Sequence, residues 1–412
     1  MRPVSRPVAW LQLPLRQPMQ EIHASQVRPP FYRDERVLGI FSQLLVVIIV
    51  VGLGLFFYNN MITGLREKHN IAITFSFLTQ TAGFDIGESL IEYSRERTYL
   101  RAFVVGLLNT FQVAVLGIIF ATALGIFVGV MRLSTNFLVS KIAAVYIDIF
   151  RNIPLLVLLI FWAQGVFLKL PRVADAIVLG DAVYLSNRGV AIPWGIPTES
   201  WSTYLIILGA GIVVGAGLAY FLREQGKRTG RMPLVTLWFI VTVAAVGLIG
   251  WIVLPQPMTL DVPVLEGFNT QGGKILSQQF MALLSGLIIY TAAFIAEVVR
   301  AGIQSVSKGQ REAATALGLT AAQTLRLIIF PQALRVIIPP LTSQYLNLTK
   351  NSSLAIAIGY PDLFAVAGNT ILNQTGREIE MFTMIMGTYL SLSLLTSLLM
   401  NIYNRRIRLV ER

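Results

Sequence analysis

Long apolar stretches separated by short polar segments dominate the chain. Eight stretches are long enough for an α-helix to cross a hydrocarbon core about 30 Å thick, which takes about 20 residues. The predicted spans are residues 39–59, 103–130, 142–168, 203–222, 233–254, 279–299, 333–349 and 381–403. This pattern predicts an all-α, polytopic membrane protein with about eight transmembrane helices.

The composition supports the same class of protein. The mean hydropathy is +0.67 and only 13% of the residues are charged, against about 25% in soluble domains. The net charge of +12 does not indicate nucleic-acid binding, because the basic residues lie in clusters beside the apolar stretches. That bias orients membrane helices. We therefore expect a lipid bilayer as a partner and no nucleic acid.

The basic clusters also predict the orientation. An arginine-rich tail precedes the first span, "REQGKRTGR" (223–231) follows the fourth, and "RRIRLVER" ends the chain. If the tail is cytoplasmic, every one of these clusters is cytoplasmic too. Both termini are then inside, and the segments 60–102 and 350–380 face outward.

One polar segment, "SKGQREAATALGLTAAQTLRLIIFP" (307–331), predicts a helical hairpin between two apolar stretches. The first helix is expected to end just before Gly318, which suits the left-handed position after a helix end. Thr320 and Gln323 fit a capping box that opens a second helix. Pro331 is expected to bend or end that second helix.

The surface of the first hairpin helix is small and alanine-rich. Ala313, Ala314 and Ala316 would let another protein approach closely, with Arg311 and Glu312 at the edge. The alternative is a helix lying at the lipid headgroups, which needs many basic residues opposite bulky apolar ones. The alanines and the carboxylate favour docking into a groove on a partner.

The hairpin carries a family resemblance. Glu312-Ala313-Ala314, Gly318 and the following "IIFPQAL" resemble the EAA loop of binding-protein-dependent ABC importer permeases. Four further segments resemble the polar amino-acid branch of that family: "GLLNTFQVAVLG", "YIDIFRNIPLLVLLIFW", "YTAAFIAEVVRAGIQSVSKGQREAATALGL" and "LNLTKNSSLA". The long loop 77–103 and the additional spans resemble its larger permeases for general, or acidic and amide, L-amino acids.

The resemblance implies a domain organisation. A cytoplasmic basic tail (1–37), an extra transmembrane helix (38–60) and a periplasmic loop (61–102) would precede the permease domain (103–412). Within that domain, a five-helix type I importer core would comprise the spans in 103–168 and 279–403. The spans in 203–254 would be peripheral insertions.

The resemblance also implies a function and partners. The chain would be the pore subunit of an ATP-driven importer in a bacterial inner membrane, passing L-amino acids from a periplasmic binding protein to the cytoplasm by alternating access. A cytoplasmic ABC ATPase dimer and a second permease, identical or homologous, would complete it. The coupling loop (307–331) would contact the ATPase through Gln310, Arg311, Glu312, Ala313, Ala314 and Gly318.

No catalytic role is expected of this chain. It lacks the G-x-x-x-x-G-K-[ST] pattern that cradles nucleotide phosphates, since "NTQGGKI" (269–275) has Ile275 where Ser or Thr is needed. We expect no cofactor in this chain, with ATP and Mg²⁺ bound by the partner ATPase.

Ionisable residues inside a span are expensive and indicate function. Asp148 and Arg151 lie three residues apart on one helical face, followed by Asn152 and by Pro154, which disturbs the backbone hydrogen bonding. They could meet the ammonium and the carboxylate of an amino acid. Alternatively, they pair with each other and only hold helices together.

Other polar residues in or beside the predicted spans are also candidates. Glu297 lies near the cytoplasmic end of the sixth span, where it could pair with Arg300 or form part of a gate. Tyr290 is a candidate for the substrate path, and so is Asn109, although packing roles are common for both types. Lys350 is expected at the outer end of the seventh span, either lining the mouth or in a solvated loop.

Two other classes remain open from the sequence. A secondary transporter driven by an ion gradient could use Asp148 as its ion site, with Pro339–Pro340 breaking the seventh span. It would also need matching inverted halves, and none is visible. A non-transporting scaffold would leave the intramembrane charges without a reason.

Overall fold

The computed structural model describes residues 35–69, 74–230 and 234–407, and the chain divides into two units, 1–73 and 74–412. In the first unit, helix α1 (Glu35–His69) contains a stretch, Ile40–Asn60, that is long and apolar enough to cross a membrane. Apolar side chains along this stretch are exposed, as a lipid-facing span requires. The predicted tail (1–37) lies outside the described residues except at its last three positions.

The second unit is built from helices. They are α2 (Tyr99–Arg132), α3 (Phe137–Asn152), α4 (Leu155–Ile160), α5 (Trp201–Thr229), α6 (Val235–Val253), α7 (Gln278–Gln304), α8 (Lys308–Ala316), α9 (Ala321–Thr324), α10 (Phe330–Asn351), α11 (Leu372–Thr375) and α12 (Glu378–Ile407). Across the described ranges of both units, seven helical segments can span a membrane, or eight if one bent pair counts as a span. The prediction of a polytopic helical membrane protein is confirmed.

The third predicted span (142–168) is not one straight helix. It is the bent pair, α3 followed by the segment Leu155–Lys169, with an angle of 106° between the two parts. The break lies at Ile153, whose backbone is extended, and Pro154 then caps α4. A residue before proline is pushed out of the helical region, so the sequence Asn152-Ile153-Pro154 explains the break.

Short β-strands, which the sequence pattern did not predict, occupy the segments on either side of α5 and α6. The strands are β1 (Ile177–Leu179), β2 (Val183–Ser186), β3 (Gly189–Ile192), β4 (Trp194–Pro197), β5 (Met258–Asp261), β6 (Val264–Glu266), β7 (Asn269–Gln271) and β8 (Lys274–Ser277). All pairings are antiparallel, in a four-stranded sheet of order β1-β2-β3-β8 and two pairs, β4-β5 and β6-β7. Strands of three or four residues are too short to show a clear alternation.

Helices α5 and α6 form a hairpin whose strongest packing is internal. Gly211 and Gly215 on α5 lie against Val246 and Phe239, and Gly250 on α6 lies against Ile207. Small residues let the two backbones approach closely, so the helices can pack without interhelical hydrogen bonds between polar side chains. Strands β3–β8 and β4–β5 pair across this hairpin, so the two helices enter and leave the bundle at one place.

The core of the second unit is the α2–α7 pair. Gly125 on α2 is so close to α7 that an added Cβ would lie 2.6 Å from the Cβ of Ile295, and Gly129 faces Ala296 in the same way. Helix α10 also packs against α7, where Ile337 fills the space over Gly302. These close approaches bury a continuous apolar core that includes Ile295, Val299, Ala333 and Ile337.

The bundle has two distinguishable ends. Helix α7 begins directly after β8 and ends directly before α8. We call the end with the β-strands the strand end and the end with α8 and α9 the hairpin end. Helix α2 runs in the same direction as α7, because Gly125 and Gly129 meet successively later residues of α7. Helix α10 runs the opposite way.

Candidate functional site: the helical hairpin and an open polar face

The hairpin forms as its local sequence predicts. Helix α8 ends at Ala316, and Gly318 has a φ of +73°. The Leu319 N–H donates to the Ala314 carbonyl at 3.1 Å and the Gly318 N–H donates to the Thr315 carbonyl at 2.9 Å. This pair of bonds is the Schellman arrangement, which needs a left-handed residue after the helix.

The second helix of the hairpin opens with the predicted capping box. The Gln323 N–H donates to Thr320 Oγ1 at 3.3 Å, and the Thr320 N–H donates to Gln323 Oε1 at 2.9 Å. The helix does not end at Pro331, one of the two outcomes expected there, because the helical segment runs from Ala321 to Ile358. A π-helical turn, Leu325–Ile329, precedes Pro331, and such a turn changes the local bonding where a proline N–H is missing.

Helix α8 presents one face to solvent and one to its own chain. Glu312 and Ala313 are exposed, and Leu317 is 80% exposed although it is fully apolar. Glu312 makes no hydrogen bond or ion pair within the described chain. Ala314 is instead buried at 2% exposure, so it packs inward and is not part of the smooth outer surface expected from the sequence.

The other coupling-loop residues anchor α8. Arg311 is exposed and donates from Nη2 to the Ile303 carbonyl at 3.2 Å, which ties α8 back to the end of α7. The Gln332 side chain donates to Gln310 Oε1 at 3.4 Å, which links α8 to α10. The hairpin is therefore attached to two membrane-spanning helices and leaves Glu312 free.

A second candidate region is the exposed polar face of α3. Asp148, Arg151 and Asn152 are all exposed, and Asn152 Nδ2 donates to the Asp148 carbonyl at 2.6 Å. The guanidinium of Arg151 lies over the ring of Phe294 on α7, 5.4 Å from its centre. Asp148 and Arg151 form no ion pair, so the structural alternative of a mutual pair is not what the structure shows.

On the α7 side of this region, the charged side chains are paired with one another. Glu297 accepts from Arg300 Nε at 3.0 Å and from Nη2 of the same residue, and Arg300 also donates to Gln304 at 2.6 Å. This is the local pair expected from the sequence, and it lies within electrostatic reach of Arg151. The ring of Tyr290 is half-buried and lies 4.9 Å from that of Phe294.

Sequence reasoning missed a polar cluster at the strand end. The Ser277 hydroxyl donates to Glu88 Oε2 and accepts from the Phe280 N–H at 3.0 Å, so it caps α7. Asn109, fully buried, donates to the carbonyls of Glu88 (2.8 Å) and Pro361 (2.9 Å). Asn109 therefore has a structural role, and burial raises the pKa of the Glu88 carboxyl.

A second buried carboxyl group, that of Asp362, also lies at the strand end. It accepts from the Ala365 N–H at 2.8 Å and from the Tyr389 hydroxyl at 3.2 Å, and burial raises its pKa to about 6. No sequence signal distinguishes Glu88 or Asp362 from the other acids in predicted loops. Their partners come from distant parts of the chain.

These features define a class: a polytopic membrane protein with a free helical hairpin at one end and an open polar face on its spanning helices. The family model of the binding-protein-dependent transport system inner membrane component matches residues 117–409. The chain belongs to this family of ABC transporter permeases, whose members are transporter subunits. Membership of this family leaves the alternative of a transporter driven by an ion gradient without support.

Curated relatives are similar over nearly the whole chain. The general L-amino acid transport system permease protein AapQ of Rhizobium johnstonii is 47% identical over 92% of this chain and 94% of its own length. The putative amino-acid ABC transporter permease protein YhdX of Escherichia coli is also 47% identical, over 92% and 97%. The glutamate/glutamine/aspartate/asparagine transport system permease protein BztB of Rhodobacter capsulatus is 40% identical over 92% and 96%.

Among solved structures, an amino acid ABC transporter crystallised with histidines is 23% identical to this chain. The match has a TM-score of 0.45 and covers 75% of this chain and 95% of the other.

Proposed function

We propose that this chain is the transmembrane pore subunit of an ATP-driven importer of L-amino acids. Family membership and the names of the relatives support this function, and the hairpin supports the coupling to ATP. The observation that carries the proposal is the free face of α8, where Glu312 has no partner among the described residues and Leu317 is 80% exposed. An exposed apolar side chain and an unpaired carboxylate at one short helix suit a protein groove with a basic residue.

The orientation follows from the basic clusters. The hairpin end carries Lys308, Arg311 and Arg326, and the positive-inside bias places such an end in the cytoplasm. A cytoplasmic ATPase dimer would therefore meet α8, and a binding protein delivering the amino acid would meet the strand end. Both termini are cytoplasmic in this arrangement.

A second permease subunit completes the proposed pore. Asp148, Arg151 and Asn152 lie on a spanning helix, yet they are exposed. Charged side chains facing lipid at that depth are costly. A second permease, identical or homologous, would cover this face and enclose a polar path between the two subunits. ATP-driven closure of the two ATPases would move that path between outward-open and inward-open states.

The test is purification of the tagged protein in a mild detergent, with mass spectrometry of the co-eluting proteins. The variants are Glu312→Ala and Gly318→Asp, and the matched control is Glu224→Ala, whose carboxylate is also exposed but pairs with Lys227 on the peripheral α5. We expect an ATPase with a P-loop to co-purify with the wild type and the control, and to be lost or reduced in both hairpin variants.

The opposite result would be equally clear. Elution of the wild-type protein without an ATPase, or retention of the ATPase by both hairpin variants, would contradict the proposed coupling role of α8. Uptake in membrane vesicles gives an independent reading, since an ATP-driven importer should keep working when ionophores collapse the proton and sodium gradients.

A further inference from the structure

A groove at the hairpin end lies between the helical hairpin and the spanning helices. Its volume is about 1030 Å³, at the upper end of the range of about 300–1,000 Å³ that is usual for small-molecule sites. Its walls come from the end of α2, the start of α3, the end of α7 and the hairpin itself, and include Phe127, Val130, Val139, Ile303, Thr315 and Leu325. We call it the hairpin groove.

The hairpin groove faces the outer side of the bundle. Phe127 is 62% exposed and Val130 is 44% exposed. On α3, Val139 lines the groove, whereas Asp148 of the exposed polar face lies nine residues later. Nine residues make about two and a half helical turns, so the two side chains are on opposite faces of α3. The groove therefore faces away from the polar path proposed between two permeases, and toward lipid.

The floor of the groove reaches a short distance into the membrane. Phe127 lies five residues before the end of α2 at Arg132, which is about 7.5 Å at 1.5 Å per residue. This is the depth of the boundary between headgroups and acyl chains, where interfacial helices bury their apolar faces by about 5–10 Å. An apolar floor at this depth suits an acyl chain, with the headgroup at the level of α8.

Arg311 makes the edge of the groove positive. Among the described residues that line the groove, it is the one charged residue, and none is acidic. Its Nη2 donates to the Ile303 carbonyl at 3.2 Å, which positions the guanidinium and leaves its other N–H donors unused. Arg311 forms no ion pair in the described part of the chain. A guanidinium with spare donors suits the phosphate of a lipid headgroup.

We propose that the hairpin groove binds one anionic phospholipid of the cytoplasmic leaflet, with its phosphate on Arg311 and an acyl chain along Val130 and Val139. Basic pockets between spanning helices on the cytoplasmic side bind anionic headgroups in this way. Glu312 and Leu317, which are proposed to meet the ATPase, do not line the groove. The lipid would fill the space between α8 and the spanning helices and support the hairpin from behind. The choice of leaflet rests on the proposed orientation, whereas the site itself does not depend on transport.

The experiment is native mass spectrometry of the complete complex released from nanodiscs that contain equal amounts of phosphatidylglycerol and phosphatidylcholine. We expect the wild type to retain one phosphatidylglycerol for each copy of this chain, in preference to phosphatidylcholine. Arg311→Gln should lower the retained phosphatidylglycerol about fivefold or more. Arg311→Lys should stay within about twofold of the wild type, because an ammonium also binds phosphate. The matched control is Arg326→Gln, which removes an exposed basic side chain of the same hairpin that does not line the groove, and it should retain the wild-type amount.

A second variant tests the seat of the acyl chain. Val139→Phe places a larger side chain in the groove and should lower lipid retention about as much as Arg311→Gln does, with the charge intact. Its control is Val213→Phe, at a position on the peripheral α5 that is 72% exposed and outside the groove. This control should retain the same lipid as the wild type.

Three results would overturn the proposal. Equal retention of the two lipids by the wild type would mean that Arg311 does not recognise the headgroup. Wild-type retention in both Arg311→Gln and Val139→Phe would place the lipid elsewhere on the complex. A wild-type complex without retained lipid would mean that another protein subunit covers the groove. Failure of the proposed import function looks different, because the lipid is counted without transport and would still be retained by a chain that carries no amino acid.

Discussion

The contact between Gly302 on α7 and Ile337 on α10 should be a sensitive point for stability. A methyl group added at Gly302 would overlap Ile337 Cγ1 and would lie 3.0 Å from Cδ1 and 3.3 Å from the Ala333 carbonyl oxygen. Ile337 is only 3% exposed, so its side chain has little room to move. Overpacking of this kind costs about 1–3 kcal/mol, and we expect Gly302→Ala to lower the free energy of unfolding by that amount.

The double variant tests the reasoning more sharply than the single one. Ile337→Ala alone leaves a cavity and should cost about 2–5 kcal/mol. In Gly302→Ala with Ile337→Ala, the new methyl enters the vacated space, and only the Ala333 carbonyl remains close. We therefore expect the double variant to be more stable than the sum of the single effects predicts, by about 1 kcal/mol or more.

The assay is reversible unfolding of the detergent-solubilised protein in mixed micelles, with Gly217→Ala as the matched control. Gly217 is also on a spanning helix, but an added methyl there meets no atom within 4 Å. The control should be neutral or stabilised by up to about 1 kcal/mol, because alanine is the better helix former. The packing argument fails if Gly302→Ala is as stable as the control, or if the two single effects simply add.

Two further predictions concern the hairpin and the strand end. At Gly318 the left-handed backbone conformation costs a residue with a Cβ about 1–2 kcal/mol, whereas an added Cβ meets no atom within 4 Å. We therefore expect Gly318→Ala to slow ATP-dependent uptake more than Gly318→Asn, because asparagine tolerates this conformation. Equal effects of the two variants would contradict the strain argument. At Asp362 the folded-state pKa of about 6 exceeds the ordinary value of 3.8, so the native state holds the proton more tightly than the unfolded state does. The free energy of unfolding should therefore fall as the pH rises from about 4 to about 6, by at most about 1.4 kcal/mol per pH unit. Thermal unfolding across that range should show a flatter profile in Asp362→Asn, and identical slopes would remove Asp362 as the cause.

The parts of the structure that the sequence predicted well depend on local rules. The hairpin is an example, because Gly318 and the Thr320–Gln323 capping box act within a few residues of chain. The spans α2 and α7 are others, since an apolar stretch of sufficient length must be helical in lipid. In each case the determining interactions lie inside the quoted segment.

The parts that were missed depend on partners far away in the chain. Strands β3 and β8 pair across the α5–α6 hairpin, and each is too short to be recognised from its sequence pattern. Asn109 is held by hydrogen bonds to the carbonyls of Glu88 and Pro361, and no spacing rule connects these residues to it in the sequence. Lys350 lies in the last turn of α10, at the end of the seventh predicted span. Pro331 does not end its helix, because a π-helical turn precedes it and the helical segment continues.

The uninterrupted course of α7 has a mechanical consequence. Its 27 residues make a rod about 40 Å long at 1.5 Å per residue, fixed at one end to the sheet through Ser277 and joined at the other to α8. A rod of this length converts a tilt of about 5° into a sideways displacement of about 3.5 Å at its far end. A small rocking of the sheet edge would thus reach the end of α7, three residues before α8 begins, as a shift comparable to an atomic contact.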